Sequence, residues 1–212
     1  MNKEKKVLDF YITCNKLKDI VRTGWQNWGV KRSRVESVAE HIFGVQMLAI
    51  GMWSEYDYKD VDLMKVITML AVHETEECII GDLTIYECSK EEKNKIGHDA
   101  VVNIFKKLSN AEEIEKLIFE FDERKTPEAK FAYFCDKLEC DIQSKLYDEE
   151  NCVNLKTQNG NSTAENKEVK GLLEKGLSWS EMWITVGQQR YNYDNNFIAV
   201  SNYAKDNKLK KI

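Results

Sequence analysis

Apolar residues recur every three to four positions along most of this chain, a spacing that predicts helices throughout. Val7, Phe10, Tyr11, Cys14, Leu17 and Val21 mark a first helix over about residues 5–21, stopped at Gly24 in the stretch RTGW. A second helix starts near Ser37, where Glu40 three positions later makes a capping box, and turns Val38, Ile42, Val45, Leu48, Ala49 and Met52 inward. A third runs from about Val61 to Cys78, and Gly81-Asp82-Leu83 breaks it. A loop then leads to about Ser89, which caps a fourth helix over about residues 90–108, with Ile96, Ala100, Val101, Ile104, Phe105 and Leu108 facing inward. Residues 111–122 form a short fifth helix, and Thr126-Pro127-Glu128 opens a sixth that holds Phe131, Phe134, Cys135, Leu138, Ile142 and Leu146. Residues 151–170 are polar, lack periodicity and contain an Asn-Gly turn signal, so they read as a long loop. Trp179, Trp183, Tyr191, Phe197 and Tyr203 punctuate a C-terminal helical segment over 171–212, an aromatic content that suits a core or a homodimer interface.

The fold class expected from this pattern is all-α, and composition agrees. The 212 residues include one proline, Pro127, and ten glycines, too few breakers for a loop-rich fold. At 42% hydrophobic content the chain is long enough for one well-cored domain, with two possible. A net charge of −5, with 31 basic and 36 acidic residues spread along the chain, leaves no basic stripe for polymeric nucleic acid. Neither an apolar leader nor a membrane-length apolar run is visible, so a cytoplasmic protein with no membrane partner is expected. The six cysteines form no CxxC pair and sit mostly in helical patterns, as reduced thiols do.

The stretch AVHETEECIIGD, Ala71 to Asp82, changes the picture. It ends a strongly apolar helix in a cluster of ionisable groups: His73, Glu74, Glu76, Glu77 and Asp82. Desolvating unpaired charges costs several kcal/mol each, so a buried cluster of this kind calls for a cation. On one continuous helix His73 and Glu77 share a face, with Glu74 rotated about 100° away. The plain alternative is a helix leaving the core with its acids in water. The chain has three histidines, His41, His73 and His98. His41 and His73 lie near the ends of neighbouring helices, where antiparallel packing would bring both imidazoles to one ion; His98 sits on a polar face and reads as solvent-exposed. Asp136 and Asp141 on the sixth helix are each able to add a second carboxylate, and periodicity does not choose between them. Arg22 suits a phosphate through its planar fork, and Trp25 suits a pocket wall; a surface Arg and a core Trp are the plain alternatives.

The order of short motifs, LKDIVRTGW, VESVAEHIFGV, HETEECIIGDL, KEEK and PEAKFAYFCDKLE, resembles the HD-domain metal-dependent phosphohydrolases, and most closely their 5′-deoxynucleotidase branch, from about Leu17 to Tyr147. The resemblance implies a single HD domain and four metal ligands, His41, His73, Glu74 and Asp136, which decides against Asp141. It implies one divalent transition metal ion, of the Mn, Fe, Co, Ni or Zn kind. Glu77 matches the carboxylate that acts in proton transfer, Asp82 an aspartate that positions water or the sugar, and Arg22 the phosphate-binding arginine. Trp25 follows Arg22 only after Thr23 and Gly24, as in the eukaryotic members, where the bacterial branch has Trp directly after Arg. Glu74 departs from the family, which has Asp there. The expected activity is hydrolysis of deoxynucleoside 5′-monophosphates by a likewise family-implied homodimer. Two alternatives stand beside it: a phosphohydrolase acting on a triphosphate or alarmone, and a nucleotide-binding protein weakened by Glu74.

Overall fold

Helix ends in this chain are set by side chains that take orphaned backbone groups, and most fall where the turn residues place them. The computed structural model describes residues 2–84 and 88–209, so 85–87 of the predicted loop lie outside the described residues. The fold is all-α, and among the described residues the extended pairing is a single isolated bridge, Val21 to Ser37. The chain divides into two compact units, one formed by residues up to Thr23 and Glu36–Tyr133, the other by Gly24–Val35 and Phe134 onward.

In the first unit, α1 spans Lys3–Asn15 and continues as a 3₁₀ turn, Lys16–Lys18. The predicted first helix therefore ends six residues early, and Val7 and Tyr11 are 60% and 58% exposed while Leu17 is buried. Arg22 consequently leaves no helix end: its N–H donates to the Glu36 carbonyl at 3.0 Å, and Val38 N–H donates to the Ile20 carbonyl at 2.8 Å. Helix α3, Val38–Glu55, starts at the Ser37–Glu40 capping box read from sequence. Helix α4, Leu63–Val72, runs antiparallel to it. The pairing is visible in bonds whose numbers rise on α3 and fall along α4 and the residues just before it: Gln46 Nε2 to the Ile67 carbonyl at 3.0 Å, and Trp53 Nε1 to the Val61 carbonyl at 3.2 Å.

The predicted third helix is two helices. Thr75, buried, donates its hydroxyl to the Val72 carbonyl at 2.7 Å and its N–H to the same oxygen at 3.1 Å. That competition ends the i to i−4 ladder, and a short α5, Glu77–Ile80, follows a tighter turn. His73 and Glu77 thus do not share one continuous helical face. Helix α6, Lys90–Phe105, begins at the Ser89–Glu92 capping box, and α7 spans Ala111–Glu123. Ile96, expected inside, is 39% exposed; Val101, Ile104, Phe105 and Ile118 form the core with Leu17, Val38 and Cys78.

Helix α8, Pro127–Glu149, passes from the first unit into the second. The second unit also takes in α2, Thr23–Asn27, from Gly24 on, so Gly24 lies inside a helix; the turn comes at Gly29, whose φ of +63° suits glycine. Residues 151–170, expected as a loop, contain a 3₁₀ turn at Leu155–Thr157, helix α9 at Ser162–Glu165 and the start of α10, Lys167–Glu174. The asparagines that made the stretch look like loop are their caps: Asn154, Asn161 and Asn166 each accept from the following turn's N–H groups. The C-terminal segment is two helices, α11 at Trp179–Gly187 and α12 at Asn195–Asp206. Trp25, Trp28, Tyr147, Trp179 and Met182 make this unit's core.

Candidate metal centre

Antiparallel packing sets the early part of α3 beside the end of α4. His41, on the first turns of α3, is fully buried; His73 caps the C-terminus of α4 and is 3% exposed. Their ring centroids lie 5.9 Å apart, and the His73 ring meets the edge of Phe121 at 5.0 Å. His73 Nδ1 lies 2.8 Å from the Leu70 carbonyl, an oxygen that only accepts, so Nδ1 carries the hydrogen and Nε2 the lone pair. That orientation is the one a metal-ligating histidine uses. Nε2 stands 3.7 Å from Glu74 Oε1. His41, His73 and Glu74 each offer a ligand atom within 4.8 Å of the others. The extra methylene of Glu74, relative to Asp, therefore leaves the carboxylate within reach. Two buried imidazoles and a carboxylate at this separation fit a borderline divalent ion, and a charge there offsets burial of the acids.

Around these three stand the groups expected for substrate and proton. Arg22 Nη1 lies 3.6 Å from Glu74 Oε1 and 3.6 Å from Asp82 Oδ1. The other oxygen of Asp82 accepts the Thr23 N–H at 2.7 Å, so Asp82 fixes both the guanidinium and the backbone beside it. The chain reaches Asp82 through Gly81, whose φ of +76° and ψ of 171° are accessible essentially only to glycine. Glu77, on the first turn of α5, is 1% exposed. Burial pushes its carboxyl well above the usual carboxylate range; Glu74 and Asp82 push the same way, while Arg22 and Lys93 oppose them.

Lys93 is the residue that sequence reasoning missed. It lies in the KEEK motif, which had no assigned role, on the first full turn of α6. Its Nζ is 3.6 Å from Glu77 Oε1 and donates to the Leu83 carbonyl at 2.9 Å. Burial works to lower its pKa, but the surrounding carboxylates, Glu74 foremost, raise it above the ordinary lysine value. Lys31, Arg32 and Arg34, the other basic residues close to Arg22 in sequence, belong to the second unit.

His98 is 41% exposed at its side chain, but engaged: it bonds Asp122 at 2.8 Å and lies on the Phe119 ring at 4.4 Å. Asp136 and Asp141 both lie on the part of α8 within the second unit, and both are buried, at 2% and 1% exposure, so burial does not choose between them either. Asp136 Oδ2 is 2.7 Å from Lys137 Nζ. Asp141 accepts from the Tyr191 hydroxyl, which also contacts Ser201 Oγ at 2.9 Å. Trp25 is 2% exposed, with its ring among Tyr147, Trp179 and Trp183 at centroid distances of 4.8–6.1 Å. Among the described residues no helix is long and apolar enough to cross a membrane.

Comparison with known proteins bears on this arrangement. A 5′-deoxynucleotidase HDDC2 of Dictyostelium discoideum is 35% identical over 152 residues, covering 68% of this chain and 78% of that protein. The 5′-deoxynucleotidase hdd1 of Schizosaccharomyces pombe is 31% identical, over 69% of this chain and 74% of its own. Among solved structures, a predicted metal-dependent phosphohydrolase of Magnetospirillum magnetotacticum has a TM-score of 0.60 at 22% identity, covering 95% of this chain and 94% of its own. A Pyrococcus horikoshii protein has a TM-score of 0.59 at 24% identity, over 88% and 99% of the two chains. These two likenesses are of fold. The model of the HD domain matches residues 14–175, and this chain belongs to the HD-domain family.

Proposed function

We propose that the chain is a metal-dependent phosphomonoesterase that hydrolyses deoxynucleoside 5′-monophosphates to nucleoside and phosphate. The observation that carries this reading is the convergence of His41, His73 and Glu74 within 4.8 Å, with Arg22 beside Glu74. Relatives that are 31–35% identical and named 5′-deoxynucleotidases support the substrate class. His41, His73 and Glu74 would hold the ion, and Asp136 is assigned as the fourth ligand from its motif FCDKLE and its burial. When bound, one divalent ion of the Mn, Fe, Co, Ni or Zn kind supplies a Lewis acid that polarises the phosphoryl group and lowers the pKa of a water.

Arg22, braced by Asp82, neutralises charge on the phosphoryl oxygens as it builds up. Glu77 accepts the proton of the attacking water at a carboxylate oxygen. As the phosphorus–O5′ bond breaks, a proton returns to O5′, and nucleoside leaves. Burial, which raises the Glu77 carboxyl above the usual carboxylate range, favours its holding the proton between the two halves of that exchange. Trp25 is assigned to the sugar side from its place in the RTGW motif. We assign the active form to a homodimer in the cytoplasm. The test is phosphate release from deoxy- and ribonucleoside monophosphates by metal-stripped protein resupplied with single metals. A binding protein would retain nucleotide without releasing phosphate.

A further inference from the structure

The cluster around Glu77 divides its cations unequally. Arg22 spans Glu74 and Asp82, each at 3.6 Å. Neither oxygen of the Glu77 carboxylate has a hydrogen-bond donor among the described residues, although both are buried. The ion pair that Glu77 makes is with Lys93, at 3.6 Å. Lys93 is placed there at a cost. A lysine in the first turn of a helix opposes the helix dipole, which favours acids at that end, and α6 begins with Glu91 and Glu92 in keeping with that rule. The ammonium instead reaches off its own helix to the Leu83 carbonyl, 2.9 Å away, just past Asp82. That bond anchors the Nζ on the strand of chain leaving α5, so its distance to Glu77 is fixed from two sides. About a third of the Lys93 side chain is exposed, 32%, against none of Glu77's.

Resting on the proposed phosphatase reading, we infer that Lys93 is a positioning residue: its ammonium, tied to the Leu83 carbonyl, holds the Glu77 carboxylate in the orientation from which it takes a proton. Lys93 acts through Glu77 and leaves phosphate binding to Arg22. Removing it releases the carboxylate without touching substrate affinity.

The test is steady-state kinetics on a deoxynucleoside monophosphate, with the full metal-loaded chain. Lys93→Met is expected to lower kcat by about 10²-fold, the scale of a misplaced reacting group, with KM within about twofold of wild type. Lys93→Arg, which keeps a charge and donors at that place, is expected to recover most of the rate. Melting temperature and bound metal are measured alongside, and should Lys93→Met unfold, Lys93→Gln carries the same comparison. A raised KM with kcat intact would overturn the inference by making Lys93 a substrate-binding group, and unchanged kinetics would overturn it outright. An inactive wild type would remove the functional reading and this inference with it; an active wild type with normal Lys93→Met turnover would remove the inference alone.

Discussion

At the residue scale, the two histidines that the structure brings together were readable because the chain holds only three, and two fell at helix ends with an acid beside one of them. The acids were harder to sort. His73, Glu74 and Glu77 come from a helix end, a turn and a second helix, so a single helical wheel misplaces them, and the break depends on one hydroxyl, that of Thr75. Asp136 and Asp141 were equivalent by pattern because what separates them is remote: Tyr191, fifty positions on, bonds Asp141. Lys93 was invisible for the same reason, since its partners Glu77 and Leu83 lie across a loop. Two substitutions probe this scale. Glu77→Gln keeps the shape and removes the base, and is expected to lower turnover by about 10²–10⁴-fold while bound metal stays at the wild-type level. Metal content by elemental analysis, measured with initial rates, checks both halves. Glu74→Asp is expected to leave metal-dependent turnover in place, because Glu74 Oε1 already stands 3.7 Å from His73 Nε2. A wild type that is silent until Glu74→Asp is made would instead identify Glu74 as the cause of inactivity.

At the scale of elements, the capping boxes at Ser37 and Ser89 and the proline start of α8 were legible because each is a local pattern. The misread boundaries share a different property. The early end of α1 and the helices inside 151–170 are decided by backbone partners in other segments or by caps within polar stretches, and the break after Val72 by the Thr75 hydroxyl. Gly81 is the hinge on which the site's geometry turns, because its backbone conformation delivers Asp82 to Thr23 and Arg22. Gly81→Ala is expected to cost about 1–3 kcal/mol of stability and to weaken substrate binding through a displaced Arg22, read as a lower urea midpoint and a higher KM. In the second unit, a Cβ on Gly187 would run into the buried Asp141 carboxylate, so Gly187→Ala is expected to destabilise this unit far more than Gly171→Ala, where a Cβ meets nothing within 4 Å.

At the scale of the whole molecule, stability is linked to protons and to metal. Burial raises the Asp141 carboxyl well above its ordinary value of 3.8, with the Tyr191 hydrogen bond opposing. The folded chain therefore keeps a proton there that the unfolded chain has lost. The stability from this group is fully present below 3.8 and is lost as pH rises towards the raised folded value. Asp141→Asn is expected to flatten the fall in unfolding free energy across that window, measured by urea denaturation from about pH 4 to pH 8. A metal that binds the folded chain alone adds stability by mass action, about 2.7 kcal/mol at a hundred times its dissociation constant. Chelation should lower the melting temperature, and resupplied Mn, Co, Fe or Zn should restore it. The most direct test remains phosphate release from matched deoxy- and ribonucleoside 5′-monophosphates, using stripped protein given one metal at a time. Metal-dependent release that favours the deoxy substrates is the predicted result; silence with every metal, from protein shown to be folded and loaded, would contradict it.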